Sequence, residues 1–504
     1  MAIEKICGIE TEYGILVSGL DISPMMASSL LVNAYSDEGL ALRAWDFTHE
    51  RPDMDARSGW RPEADYPEVD VLMANSILVN GARLYVDHAH PEISTPECRT
   101  IRDVVTFDRA SEEIMRLSLE RANKRLPEGA QMRLYKNNSD GKGNSYGCHE
   151  NYLVNRETPF GRLTAQITTH FVTRQVFTGA GKVGVENPRE GEIRVDFQIS
   201  QRADFFEEPV GLETTVRRPI VNTRDEPHCD PSRWRRLHVI VGDANMSETA
   251  TYLKLGSTAI VLCMIEDGAF PESLVIADPV TEIRKVSHDT SMTHRVTLVN
   301  GEQFSAIQIQ KEILKAARIW WSQQSNDPLS GDTADVLELW HDILHGLESD
   351  PDNLSHSIDW IAKKRIVEAM ARRDNLSFDH PRIKAIDFQY HDLDSRRSLF
   401  NKLNMNTLCP AGDVTHAIHH PPEDTRAYFR GSCIKKWPSS ISSANWDSVV
   451  FDIGEPVLQR IPMMDPLKGT RAHVEQLFEK CHTPAELLDA LGGQVEQVID
   501  DPGW

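Results

Sequence analysis

Residues 79–98 constrain the fold most, because a turn signal and a strand signal meet in them. An Asn-Gly pair opens the stretch, and residues 83–87 then alternate polar and apolar side chains. This alternation predicts a β-strand with one face in the core. Because side chains repeat every two residues along a strand, one face carries Arg83, Tyr85 and Asp87. These groups indicate either the floor of a polar site or the solvated face of an edge strand.

A second predicted strand lies at residues 6–15 and carries two carboxylates, Glu10 and Glu12. Their spacing of two residues points both side chains to one face. Like charges this close raise each other's pKa unless a cation lies between them, and Mg²⁺ prefers such oxygen ligands. The pattern indicates a Mg²⁺ site, although solvated strands with the same spacing are common.

The composition is that of a folded, acidic protein. The chain has 504 residues, 40% of them hydrophobic, and a net charge of −22, which disfavours nucleic-acid binding. Its eight cysteines include no Cys-x-x-Cys pair, as expected in the reducing cytoplasm. We identify no signal peptide and no apolar run long enough to cross a bilayer, so we expect a cytoplasmic protein without a membrane partner.

The length allows two or more domains, and we predict a large domain at 1–432 and a small one at 433–504. Apolar side chains recur at helical spacing in residues 101–124 and in two stripes within 306–375. Residues 36–70 keep no period and are interrupted by Pro and Gly, which predicts an inserted flexible loop.

An arginine-rich segment follows the middle of the chain. Residues 217–236 hold six arginines. Arginine binds carboxylates and phosphates through paired hydrogen bonds, so the segment is a candidate anion site. The alternative is a set of surface ion pairs with Asp225, Glu226 and Asp230.

Longer motifs together resemble the Pup ligase/Pup deamidase family. They are GIETEYG at 8–14, NGARLYVDHAHPE at 80–92, KNNSDGKGNSYGCHENYL at 136–153, NTRDEPH at 222–228 with RRLHVIVGDANMSET at 235–249, and DTRAYFRG at 424–431. Members attach or remove Pup, the prokaryotic ubiquitin-like protein, and are related to glutamine synthetases. The resemblance implies an α+β fold: a large glutamine-synthetase-like domain with a curved, mainly antiparallel sheet flanked by helices, plus a small C-terminal domain.

Two features resemble the deamidase branch of this family. The chain reads Asp-His-Ala-His-Pro-Glu at 87–92, whereas the ligases have Gly-Ser before His-Pro-Glu. The long insert at 36–70 is the second feature, since the ligases have a short connection there.

The resemblance also implies roles for single residues. Asp87 is the implied catalytic aspartate. The implied metal ligands are Glu10, Tyr85 and Glu92 and, by analogy with the two-metal site of glutamine synthetases, Glu12, His149 and His238. The implied ATP contacts are Arg83, Thr95, Arg426 and Trp446. Arg224 and Arg426 are candidates for binding phosphate or the C-terminal carboxylates of Pup.

The implied activity is that of an ATP- and Mg²⁺-dependent amidohydrolase. It deamidates the C-terminal glutamine of Pup and cleaves the isopeptide bond that joins Pup to a lysine of a pupylated protein. Pup and pupylated proteins are the implied partners, and the proteasomal ATPase is a further candidate. Two alternatives stay open, an ATP-consuming Pup–protein ligase and a non-catalytic Pup-binding adaptor.

Overall fold

A computed structural model describes residues 1–36, 39–42, 44–47, 50, 54–57, 74–186, 188 and 194–498 of the chain. The insert predicted at 36–70 therefore lies largely outside the described residues. In its described parts, the first helix ends at Ser36 and a short strand forms at Ala41–Leu42. Whether the insert is a flexible loop stays a prediction.

The protein combines helices with mainly antiparallel sheets, which confirms the predicted α+β class. The described strands are β1 (Cys7–Glu12), β2 (Gly14–Ser18), β3 (Ala41–Leu42), β4 (Asn75–Leu78), β5 (Arg83–Asp87), β6 (His90–Ser94), β7 (Gln131–Tyr135), β8 (Cys148–Asn155), β9 (Lys182–Val183), β10 (Phe197–Gln198), β11 (Phe206–Gly211), β12 (Arg218–Asn222), β13 (Trp234–Val239), β14 (Arg295–Thr297), β15 (Gln303–Ser305), β16 (Ile441–Ala444), β17 (Ser448–Phe451), β18 (Leu458–Pro462) and β19 (Glu496–Val498).

The described helices surround these sheets. They are α1 (Pro24–Ser36), α2 (Ile101–Arg125), α3 (Phe160–Thr173), α4 (Gln175–Thr178), α5 (Glu248–Glu266), α6 (Pro279–His288), α7 (Ala306–Trp321), α8 (Thr333–Ser349), α9 (Asp359–Asp374), α10 (Pro381–Tyr390), α11 (Ala411–Ala417), α12 (Ala427–Lys436), α13 (Arg471–Lys480) and α14 (Pro484–Leu491). None of these helices is both long and apolar enough to cross a bilayer.

A seven-stranded antiparallel sheet forms the centre of the molecule, in the order β13-β8-β1-β6-β5-β4-β3. The predicted strands β1 and β5 are both confirmed. Leu84 and Val86 of β5 are buried, as their alternation predicted. Helix α1 packs on β5 and β6, and α2 packs on β1. The helices therefore cover one face of the sheet, and the polar residues of β1 and β5 occupy the other.

The predicted helical stripes are buried. Helix α2 begins where Thr100 accepts a hydrogen bond from the Asp103 amide, a side-chain cap that replaces a missing helical bond. In α7 and α8 the apolar stripes include the buried Trp320 and Trp340. Helix α5 is buried along its whole length, which places it at the centre of the helical layer.

The C-terminal part adds a second sheet, in the order β16-β17-β18-β19. Its apolar cluster also contains Trp45, Ile77 and Val79 from the N-terminal part, so the two parts share a core. The boundary that we place between residues 432 and 433 falls inside helix α12. The division into two domains stays a prediction.

Candidate active site

The pairing of five strands brings most of the predicted site residues onto one face of the central sheet. One row across the sheet consists of Arg83, Ser94, Glu10 and His149. The next row consists of Tyr85, Glu92 and Glu12. His238 enters from β13 opposite Asn151. Residues in neighbouring rows on one face are within side-chain reach of each other, so the sheet itself assembles a polar site.

Three carboxylates converge at one end of this face, with an oxygen from each of Glu12, Asp87 and Glu92 within 4.8 Å of the others. Burial raises the pKa of Glu92 well above its usual value, and the negative charges of Asp87, Glu12 and Glu10 add to the effect. Ionisation of Glu92 is therefore unfavourable unless a further positive charge compensates it. A divalent cation would supply that charge, since hard cations bind several oxygens.

A second group lies beside the first and contains Glu10, His149 and His238. His149 Nδ1 is 3.6 Å from Glu10 Oε2, and the side-chain Nδ2 of Asn151 donates to Glu10 Oε1 at 2.7 Å. Burial opposes ionisation of Glu10, but its contact with His149 and the charge of Arg236 hold its pKa well below its usual value. Burial lowers the pKa of His238 well below the ordinary histidine value, which keeps this imidazole neutral and able to bind a metal.

The structure groups the candidate ligands differently from our expectation. We expected Glu10 with Tyr85 and Glu92, whereas Glu10 lies with the two histidines and Glu12 lies with Glu92. Tyr85 faces Glu92 across the β5–β6 pair, and its hydroxyl is 3.4 Å from Ser94 Oγ. The assignment of these residues as metal ligands stays a prediction.

Asp87 lies at the end of β5, where the hairpin turns into β6. Its side chain is 38% exposed, and one oxygen accepts a hydrogen bond from His88 Nδ1 at 2.9 Å. Burial acts to raise the pKa of Asp87, but the bond from His88 and the charges of His149 and Arg224 outweigh it. Its pKa therefore lies below the usual value, and Asp87 is ionised at neutral pH.

Arginines line the site beside these carboxylates. The Arg83 guanidinium lies between two rings, 3.7 Å from the centre of Trp45 and 4.1 Å from that of Tyr85. Arg224 is half-buried, and its Nε has no hydrogen-bond partner among the described residues. Arg236 extends to within 3.7 Å of Glu10. These cations could bind oxygens of a substrate.

A cavity of about 100 Å³ opens beside Glu10, and its lining includes Gly8, Thr95, Arg426 and Trp446. A Cβ atom at Gly8 would lie 3.3 Å from Thr95 Oγ1, so the wall is tightly packed at this position. Thr95 Oγ1 accepts a hydrogen bond from the Ile9 amide at 3.0 Å, so it ties two strands together beneath the cavity.

Three of the four predicted ATP contacts line this cavity, but Arg426 is already engaged. Its Nε donates to Glu97 at 2.7 Å, and its Nη1 donates to two carbonyl oxygens. The fourth predicted ATP contact, Arg83, lies on the sheet face next to the cavity. Arg430 also binds Glu97, and together the two arginines lower the pKa of Glu97 to about 2 although burial opposes this. The role of each residue toward a nucleotide stays a prediction.

Sequence reasoning missed Arg202, a fully buried residue close to the acidic face. Its Nε and Nη1 have no hydrogen-bond partner among the described side chains and backbone groups. Burial, with the nearby charge of Arg218, lowers the pKa of Arg202 to about 10, while Glu12 acts in the opposite direction. No local pattern in the sequence distinguishes this arginine, because it lies in an irregular segment that only the tertiary fold brings to Glu12.

Comparisons with known proteins show what this chain is similar to. The profile of the Pup-ligase protein family matches residues 5–450. The chain is 49% identical to a depupylase of Acidothermus cellulolyticus, covering 97% of this chain and 99% of that protein. It is 43% identical to a Pup deamidase/depupylase of Mycolicibacterium smegmatis, with the same coverage.

Two solved structures have the same fold. The first is the complex between Pup and its ligase PafA, with a TM-score of 0.80, 32% identity, and coverage of 98% of this chain and 95% of that one. The second is PafA in complex with ADP, with a TM-score of 0.74, 33% identity, and coverage of 86% and 98%. These similarities confirm the predicted glutamine-synthetase-like fold class.

Proposed function

This chain belongs to the Pup-ligase protein family, and on this basis we propose that it is a Pup deamidase/depupylase, a hydrolase of side-chain amide and isopeptide bonds. The observation that carries the proposal is Asp87, an ionised carboxylate that is partly exposed at the rim of a buried acidic cluster. Two relatives that are 43–49% identical carry this activity in their names.

We propose ATP and Mg²⁺ as the cofactors. The nucleotide would bind at the cavity beside Glu10, where Thr95, Arg426 and Trp446 form part of the lining; the related PafA forms a complex with ADP. Mg²⁺ would compensate the charges that oppose ionisation of Glu92, and Glu10, Glu12, Tyr85, Glu92, His149 and His238 would hold one or two such ions. When bound, Mg²⁺ would polarise a carbonyl or phosphoryl oxygen.

The reaction is the addition of water to the γ-carbonyl of the C-terminal Pup residue, which breaks the bond to nitrogen. The products are a carboxylate and either ammonia or a lysine amine. Asp87 would attack the carbonyl carbon or take a proton from the attacking water. Arg224 and the buried Arg202 would bind the oxygen on which negative charge develops or the terminal carboxylates of Pup.

The test is incubation of the purified protein with a pupylated substrate, Mg²⁺ and ATP while free Pup and ADP are measured. Release of Pup without an equal amount of ADP supports the hydrolase. Attachment of Pup with stoichiometric ADP would instead identify the ligase. If the protein binds Pup but neither reaction occurs, the result would identify a non-catalytic Pup-binding adaptor.

The proposal extends to partners and location. Pup and pupylated proteins are the proposed partners. The proteasomal ATPase remains a further candidate, because removal of Pup and degradation would act on the same pupylated proteins. The cytoplasm is the proposed compartment, since all eight cysteines are free and buried, as is usual in a reducing environment.

A further inference from the structure

His88 is the unusual residue of the β5–β6 hairpin. It is the first of the two residues that join the strands, and its backbone has a φ of +51°. Two-residue hairpin turns place Gly, Asn or Asp at positions with positive φ, because other side chains are strained there. A histidine in this position suggests that the side chain has a role that outweighs the strain.

The side chain of His88 turns back onto the preceding residue, and its Nδ1 lies 2.9 Å from Asp87 Oδ1. Because an ionised carboxylate can only accept hydrogen bonds, Nδ1 is the donor. The His88 side chain is 69% exposed and that of Asp87 is 38% exposed. Exposed pairs of this kind contribute little to stability. The bond between His88 and Asp87 therefore adds little to the stability of the fold.

The hairpin tip is itself held in place. Ser28 Oγ of helix α1 donates to the carbonyl oxygen of Ala89 at 2.8 Å, and His90 Nδ1 lies 3.2 Å from Glu12 Oε2. His90 also lies against the ring of Tyr146, with 4.5 Å between ring centroids. The backbone on both sides of His88 is fixed, so its imidazole approaches Asp87 from a defined direction.

We propose that His88 is a positioning residue for Asp87. Its Nδ1–H binds Oδ1 and fixes the carboxylate plane, so that the other oxygen is presented to the carbonyl or the water that reacts. This inference rests on the proposed hydrolase function. It differs from a direct role of the imidazole in proton transfer, because any donor placed where Nδ1 lies would serve.

The experiment compares two substitutions in the full-length protein, with kcat and KM measured for Pup release from a pupylated protein. His88→Gly removes the donor but accepts positive φ more easily than histidine, so loss of folding cannot explain a defect. His88→Asn also tolerates positive φ and places an amide N–H near the position of Nδ1. We expect His88→Gly to lower kcat by about 10- to 100-fold with KM unchanged, and His88→Asn to retain most of kcat.

Asn375→Gly is the matched control, because Asn375 also has a positive φ of 50° but caps a helix far from Asp87 along the chain. It should leave kcat unchanged. The inference is overturned if His88→Gly keeps kcat within about twofold of wild type. It is also overturned if His88→Asn falls as far as His88→Gly, since the imidazole itself would then be required.

A measurement that does not use activity separates this inference from the proposed function. If the wild-type protein releases no Pup, the proposed function fails, but the ¹⁵N resonances of the His88 ring at pH 8 still report its tautomer. A proton on Nδ1 supports the bond to Asp87. A ring protonated only on Nε2 would overturn the inference.

Discussion

At the scale of single residues, the proposed reaction requires the negative charge of Asp87. Asp87→Asn keeps the shape of the side chain and can still interact with His88, so the hairpin has no reason to move. The amide can neither attack a carbonyl nor accept a proton from water. Because a general base alone contributes about 10²- to 10⁴-fold in rate, we expect kcat for Pup release to fall at least that far.

The measurement is single-turnover Pup release at saturating Mg²⁺ and ATP, with nucleotide and Pup affinities determined in parallel. Both affinities should stay close to wild type. Turnover within tenfold of wild type would show that another carboxylate performs the chemistry, and Glu12 would be the next candidate.

Glu92 offers a second test at this scale, because its raised pKa reflects burial among like charges. We expect Glu92→Gln to leave the melting temperature without Mg²⁺ equal to or above that of wild type, since the substitution removes repulsion. Mg²⁺ at 100 times its Kd should stabilise the wild type by about 2.7 kcal/mol and so raise its melting temperature. In Glu92→Gln this Mg²⁺-dependent rise should largely disappear. An equal Mg²⁺-dependent rise in both proteins would contradict the proposed metal site.

Most residues of the site could be predicted because the two-residue period of a strand determines which side chains share a face. Their grouping could not be predicted in the same way. The register that pairs Glu12 with Glu92 and Glu10 with His149 depends on contacts between strands distant in the chain. Arg202 was missed for the same reason, since only the fold brings it to Glu12.

At the scale of elements, the described part of the insert at residues 44–47 is docked rather than exposed. Trp45 is buried, its ring lies against Arg83 and Trp446, and its Nε1 donates to Glu50 at 2.6 Å. Backbone bonds also join this segment to Ala444 of β16. The aromatic residues of this segment favour docking over exposure, but the sequence does not show which elements it contacts, because docking of an aromatic ring leaves no period.

We therefore expect Trp45→Ala to destabilise the protein by about 3–5 kcal/mol, the usual range for a buried tryptophan. ATP affinity should fall as well, because Arg83 and Trp446 lose the ring that orders them. Trp45→Phe, the conservative control, should retain most of both properties. Urea unfolding and ATP titration are the measurements, and an alanine variant with unchanged stability would show that the ring contributes nothing to packing.

At the scale of the whole molecule, buried neutral histidines make stability depend on pH. His170 and His391 are fully buried, and burial lowers the pKa of both well below the ordinary value near 6.5. Nearby cations add to this effect, from Arg174 at His170 and from Lys363 at His391. Both rings lie within packed regions, so protonating them in the folded state is unfavourable.

The sign of the pH dependence follows from proton counting. In the unfolded chain both histidines bind protons as the pH falls below about 6.5, while in the folded protein they stay neutral. The unfolded state then binds more protons, so the free energy of unfolding decreases as the pH falls. Each histidine contributes a slope of up to about 1.4 kcal/mol per pH unit. Above pH 7 both states are neutral at these positions, and the contribution is constant.

We expect the wild-type protein to lose stability between pH 6.5 and pH 5, before the carboxylates with lowered pKa values begin to be protonated. His170→Asn should remove about 1.4 kcal/mol per pH unit from that slope, because it replaces the titrating ring with an amide that can still interact with Ser257, Thr258 and Gln310 around it. The measurement is urea unfolding of both proteins from pH 5 to pH 8. Above pH 7 the two curves should run parallel, which serves as the internal control. Equal slopes below pH 6.5 would mean that His170 is protonated in the folded protein as readily as in the unfolded chain.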